Sequence, residues 1–149
     1  MTTGYMPPSK SDSWTTPKDL FAKLNAIHKF DIDAAASRDN HLCKEWFGLD
    51  HEDPERRDGL NAFWGFGHVY LNPPYGRVIK DWVLKASQHS DLVVMLLPAR
   101  TDTKWFHEII LPNAEVEFLK GRLKFSGGQT GAPFPSMLVT FPCLGQKDD

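Results

Sequence analysis

The chain has 149 residues, a net charge of −2, 41% hydrophobic and 24% charged residues, which is the make-up of one ordinary globular domain rather than a disordered or fibrous chain. No apolar run reaches the length of a membrane span, and there is no global basic excess, so contact with nucleic acid has to be local. Cys43 and Cys143 form neither a metal spacing nor a disulfide framework, as expected in a reducing cytoplasm, and the six histidines form no recognisable ligand motif.

In chain order, residues 1–12 are small, polar and proline-bearing and are expected to be a disordered tail, with one folded domain over 13–143 and a flexible tail over 144–149. Thr16 is a good N-cap, Pro17 suits the first helical position and Asp19 completes a variant capping box; Leu20, Phe21, Leu24 and Ile27 then share one helical face. Trp14 is either a hydrophobic staple for that helix or a pocket wall. Phe30 to Asp33 reads as a short strand, and Ala34 to Ser37 as the tight loop after it. Residues 43–49 suggest another strand with Trp46 and Phe47 in the core, and 50–57 a solvated charged loop. Asp58-Gly59-Leu60 reads as a turn.

His68 to Leu71 is an apolar strand that runs into Asn72-Pro73-Pro74-Tyr75-Gly76. Val78, Ile79, Trp82, Val83 and Ala86 then recur at helical spacing. Asp91 to Leu97 is a nearly continuous apolar run, as in a central parallel strand buried on both faces, and Pro98 is read as its end. Thr101 or Asp102 can cap a helix that buries Trp105, Phe106, Ile109 and Ile110. The polar stretch from Arg100 to Lys104 could grip phosphates or simply cap that helix. Ala114–Leu119 and Ser136–Phe141 read as two final strands around a long loop, Gly121 to Pro135, that carries Arg122, Lys124, Phe125, Gly127, Gly128 and Phe134. Strand and helix patterns alternate, which specifies an α/β sheet.

The stretch Asn72-Pro73-Pro74-Tyr75 lies where open α/β sheets hold their ligands, at the carboxyl end of a strand. The prolines fix φ, remove two backbone donors and hold the preceding residues extended. The result is a stiff platform with an amide, an uncommitted carbonyl and an aromatic face. Those groups suit a planar ring bearing an exocyclic amine: Asn72 and the Pro73 carbonyl can each accept an N–H, and Tyr75 can stack. A bare strand-ending turn is the alternative.

With this motif the sequence resembles amino-methyltransferases that use S-adenosylmethionine. Trp14-Thr15-Thr16-Pro17, Asp31 to Ala36, Asp58-Gly59-Leu60, Leu96 to Thr103, Gly121 to Phe125 and Ala132 to Pro135 extend the likeness to the small phage and prophage DNA N-6-adenine-methyltransferases, often called Dam-like, across residues 13–141. The resemblance implies a Rossmann-like sheet of seven strands, or slightly fewer, mostly parallel with a C-terminal antiparallel pair. It implies S-adenosylmethionine as cofactor and methylation of adenine N6 in DNA. Asn72, Pro73, Pro74 and Tyr75 are then the catalytic set. Trp14, Thr15, Thr16 and Pro17 would touch the methionine portion of the cofactor, with Asp33, Ala34, Ala35 and Asn72 beside it and Asp58 and Leu60 at its adenine. Three alanines stand where such enzymes usually carry glycine. Tyr75 and Phe125, with Phe134 second, would face the target base, and Arg100, Arg122 and Lys124 the phosphates. DNA is the expected partner, with no membrane or metal, and a monomer or homodimer in the cytoplasm of a bacterial host. Cytosine N4 methylation, protein-glutamine methylation and a catalytically silent nucleic-acid-binding module are the competing readings.

Overall fold

The computed structural model describes residues 14–125 and 131–144. The expected N-terminal tail, most of the C-terminal tail and Gly127 and Gly128 lie outside those residues. Leu144, expected in the tail, donates its N–H to the Ser90 carbonyl at 3.0 Å.

Helix α1 (Lys18–His28) precedes strand β1 (Ile32–Asp33) and strand β2 (Glu45–Trp46); a 3-10 turn at Pro54–Arg56 follows. Then come β3 (Val69–Leu71), α2 (Ile79–Gln88) and β4 (Val93–Pro98). A π-helical stretch, Phe106–Ile110, runs into the short helix α3 (Leu111–Asn113), and β5 (Glu115–Phe118) and β6 (Ser136–Phe141) complete the fold. The strands form one six-stranded sheet in the order β2-β1-β3-β4-β6-β5. β2, β1, β3 and β4 pair in parallel, whereas β6 is antiparallel to both β4 and β5. The seven strands of the fuller expectation are therefore six among the described residues; the antiparallel C-terminal pair is present.

The two faces of the sheet follow from strand pleat, which sends alternate side chains to opposite sides. Tyr70, Val94, Leu96 and Leu138 pack with Phe21 and Leu24 of α1. Val69, Leu71, Val93, Met95, Leu97, Met137 and Val139 pack with Ile79, Trp82, Val83 and Ala86 of α2 and with Phe106 and Ile110. All six residues of β4 are buried, as its unbroken apolar run requires.

Pro98 ends β4 as read from the sequence, as its last residue, paired with Ser136. The register of β3 stops at Met95, so the end of β4 has no parallel neighbour whose ladder a missing donor would interrupt. Other local expectations need correction. The helix after β4 is capped by Thr103, whose hydroxyl accepts the Phe106 N–H at 3.2 Å, and not by Thr101 or Asp102. Its π turn, with the Leu111 N–H on the Phe106 carbonyl, widens the helix just before Pro112, which lacks a donor and would crowd an α-helical carbonyl. Ile27, expected on the buried face of α1, is 72% exposed.

Candidate active site

β1 continues to β2 on one side, and its other neighbour is β3, so the strand order reverses between β1 and β3. Loops leaving adjacent strands at such a point diverge and open a crevice. A cleft of about 1070 Å³ lies there, lined by the Trp14–Thr16 segment, the alanine loop after β1, residues 47–50 after β2, residues 57–61, and the Asn72–Tyr75 loop after β3. The sequence motifs that lie far apart in the chain meet around this one space.

Of the sequence-derived candidates, Trp14, Thr15, Thr16, Asp33, Ala34, Ala35, Asp58, Leu60, Asn72, Pro73, Pro74 and Tyr75 line the cleft. Pro17 does not; it serves as the N-cap residue of α1, and its carbonyl accepts the Phe21 N–H at 3.1 Å. Thr16 stands one residue before that N-cap. Its hydroxyl is taken by Tyr70, at 2.7 Å from the phenol oxygen, and accepts from the Asn72 amide at 3.0 Å. A partner more than fifty positions away thus outcompetes the local cap.

The Asn72 side chain is oriented by its donors. Its NH2 group donates to the Trp14 carbonyl and to the Thr16 hydroxyl. Its oxygen is buried and accepts nothing from any described residue. A buried amide oxygen without a donor is unfavourable by roughly 1–3 kcal/mol, and a ligand N–H would satisfy it. Gly76, at φ 115, turns the chain out of this rigid loop; the left-handed geometry suits only glycine well, and the Gly76 carbonyl then receives the Ile79 N–H at the start of α2.

Tyr75 is not free-standing. It is 2% exposed, and its hydroxyl donates to the Leu96 carbonyl at 3.0 Å, which locks the ring against the end of β4. Burial holds its phenol neutral, well above the ordinary range. The aromatic group that meets it is Phe134, edge-on at 5.6 Å, and Phe134 also meets Trp14 at 5.3 Å. Phe125, expected opposite Tyr75, is buried behind these rings and packs on Trp14 at 5.3 Å within the α1-side core. Of the two phenylalanines, Phe134 contacts the Tyr75 ring while Phe125 is buried in the α1-side core. Arg122 is partly committed, donating to the Ala132 carbonyl at 3.1 Å, while Arg100 and Lys124 are exposed beyond the cleft wall.

The alanine loop has a physical explanation. Ala34 to Ala36 adopt no positive φ and need none. The close approach that glycine would allow is supplied from the opposite side: a Cβ on Gly48 would lie 2.0 Å from the Ala36 carbonyl oxygen, and one on Gly59 2.1 Å from that of Ala34. Trp64 fixes the second contact by donating its indole N–H to the Gly59 carbonyl at 2.7 Å.

Two carboxylates behave differently. Asp33 is buried at the end of β1 and accepts the Leu42 N–H at 2.9 Å; burial pushes its carboxyl up to about 6, against the opposing pull of the Leu42 and Ala35 N–H groups. Asp58 is exposed, and its oxygens accept from the Leu60 and Asn61 N–H groups and from the Asn61 amide, so it ties its own turn while lining the cleft. Sequence reading missed Tyr70 and Asp50, which also line the cleft. Tyr70 had a signal: it stands on the strand that leads directly into Asn72. Asp50 had none, since its role as a lining residue depends on β2 pairing beside β1.

The profile of the DNA N-6-adenine-methyltransferase (Dam) family matches residues 4–139, nearly the whole chain. The chain belongs to this family. Over 144 aligned residues it is 32% identical to the DNA N-6-adenine-methyltransferase of Escherichia phage T1, an alignment that takes in 84% of this chain and 58% of that protein. It is also 33% identical over 153 aligned residues to the DNA N-6-adenine-methyltransferase of Haemophilus phage HP1, taking in 95% of this chain and 84% of that protein. This chain therefore spans little more than half the length of the T1 family member and most of the HP1 one. Among the described residues no group of three or more His, Cys, Asp or Glu could hold a metal ion, and no helix is long and apolar enough to cross a membrane.

Proposed function

We propose that this Dam-family chain is an S-adenosylmethionine-dependent methyltransferase of Rossmann-like fold that acts on the N6 amine of adenine in phage or host DNA. The observation that carries the reading is the Asn72 oxygen: on a residue that lines the cleft, it is buried and has no hydrogen-bond donor among the described residues, while the NH2 group of the same amide is engaged by Trp14 and Thr16. The residues present fit the cofactor. The low-bulk Ala34–Ala35 wall leaves room, Trp14, Thr15 and Thr16 flank the catalytic loop, and Asp50, Asp58 and Leu60 offer carboxylates and an apolar side chain suited to ribose hydroxyls, an adenine amine and its ring. When bound, S-adenosylmethionine supplies an electrophilic methyl group on a sulfonium centre.

The adenine amine is a weak nucleophile because its lone pair is delocalised into the ring. The Asn72 oxygen and the Pro73 carbonyl would accept its two hydrogens, returning electron density to nitrogen and aiming it. Asn72 is neutral and no base. As the N–C bond formed, the methyl–sulfur bond of the cofactor would break to leave a neutral thioether, and the methylated amine would then release a proton to water. Rate enhancement then rests on positioning and fixed dipoles. The base must leave the duplex or come from single-stranded DNA, at a cost of a few kcal/mol. Stacking on an aromatic side chain returns about 1–3 kcal/mol, and the locked Tyr75 ring, with Phe134 beside it, supplies that surface. Arg100 and Lys124 are the exposed cations we assign to phosphates.

The test is a transfer assay with labelled S-adenosylmethionine and unmethylated DNA, followed by digestion to nucleosides. Label in N6-methyladenine is expected. Label in N4-methylcytosine would keep the mechanism and change the base, whereas absence of cofactor binding would refute the reading.

A further inference from the structure

We infer that Thr16, backed by Tyr70, is a positioning residue that fixes which way the Asn72 amide faces. The inference rests on the methyl-transfer reading for its consequence in rate, but its structural content stands alone. An amide can be turned over, exchanging its oxygen and nitrogen at little steric cost. Only the flip state with oxygen toward the cleft can accept a substrate N–H.

Two groups choose that state. The Trp14 carbonyl can only accept, so it opposes an Asn72 oxygen placed against it and favours the NH2 group. The Thr16 hydroxyl can either accept or donate, and alone would be indifferent. Tyr70, fully buried and 2.7 Å away, can accept the hydroxyl proton, and with the proton directed there Thr16 presents a lone pair to the Asn72 nitrogen at 3.0 Å. Thr16 is itself 4% exposed, so water is poorly placed to substitute. Tyr70 lies in β3 and Asn72 directly follows its last residue, Leu71, and the lead-in to α1 lays the Thr16 hydroxyl against both side chains. The assembly also explains why asparagine stands at position 72. An aspartate there would place an anionic oxygen against the Trp14 carbonyl.

Two measurements test this. In the full-length protein, Thr16→Val keeps the shape and removes the hydroxyl. The expected result is a fall in kcat of about tenfold with the cofactor Kd within about twofold, most of the rate returning in Thr16→Ser. Tyr70→Phe should give a smaller fall that adds nothing to Thr16→Val, because both act through one hydroxyl. A loss confined to cofactor affinity, with kcat intact, would overturn the inference and make Thr16 a cofactor contact instead. The second readout is independent of activity: hydrogen exchange of the Asn72 side-chain amide by nitrogen-15 NMR. Slow exchange in the native protein that becomes fast in Thr16→Val is expected. Fast exchange in the native protein would overturn the inference even if methyl transfer is observed, and slow exchange would support it even if the substrate proves to be something other than adenine.

Discussion

Replacing Asp33 by asparagine should make the protein's stability less sensitive to alkaline conditions, and the size of the effect can be worked from its surroundings. Asp33 is 3% exposed, and burial lifts its carboxyl from 3.8 to about 6. At about 1.4 kcal/mol for each factor of ten in proton affinity, that displacement corresponds to about 3 kcal/mol. The sign follows from the direction. A carboxyl whose folded-state pKa is raised favours the native state when protonated, so its stabilising contribution is fully present below the unfolded value and is lost as pH rises through about 6. The Asp33→Asn side chain would keep an oxygen for the Leu42 N–H and carry no charge. Its extra N–H group adds a constant that does not titrate. The quantity to measure is therefore the variant-minus-native stability from urea unfolding at about pH 4 and about pH 7.5, and the change in that difference should be roughly 2.5 kcal/mol in favour of the variant at the higher pH, part of the full displacement being already lost at pH 4. A difference that stays constant across this range would mean that the carboxylate is solvated, and the reasoning from its burial would fail.

Asn72→Ala should abolish methyl transfer while leaving cofactor affinity within a few-fold, read from a single-turnover assay and calorimetry; equal loss of both would remove Asn72 from its catalytic role. Gly59→Ala should cost more than about 2 kcal/mol of stability in urea unfolding, since its Cβ would lie 2.1 Å from the Ala34 carbonyl oxygen and neither backbone can retreat freely. Neutralising both Arg100 and Lys124 should reduce the slope of log affinity for DNA against log salt by about 2, close to one for each phosphate contact. An unchanged slope would place the phosphate path elsewhere.

The legible parts of the fold are those decided by local pattern. Ser136–Phe141 is readable to both of its ends because a buried strand between turn residues has few alternatives. The buried face of α2 is equally plain from its spacing, although Val78 is exposed just outside the helix. Where a residue has a distant competitor, the sequence misleads. Thr16 looks like a helix cap until β3 delivers Tyr70 and Asn72 to its hydroxyl. Phe125 and Phe134 are both plausible cleft aromatics, and only the docking of their loop against α1 shows which is core. The alanine loop looks deficient because the compensating glycines, Gly48 and Gly59, belong to other segments. The Asn-Pro-Pro-Tyr motif is legible as a platform, but the direction of its amide depends on two partners more than fifty residues upstream.

The antiparallel strand β6 has a consequence for how the protein comes into being on the ribosome. β6 pairs with β4 along its whole length, yet the segment 99–135 separates them in the chain. Until residues 136–141 emerge, β4 presents an unsatisfied apolar edge, the kind of edge that recruits other strands. The same docking event carries in Phe134, because the Pro135 carbonyl is anchored by the Ala99 N–H at 2.9 Å. Docking of β6 therefore both seals the β4 edge and brings Phe134 against Tyr75. Before that docking the contact of Phe134 with Tyr75 is missing as well, so the chain is at its most aggregation-prone while one wall of the proposed base site is still unformed.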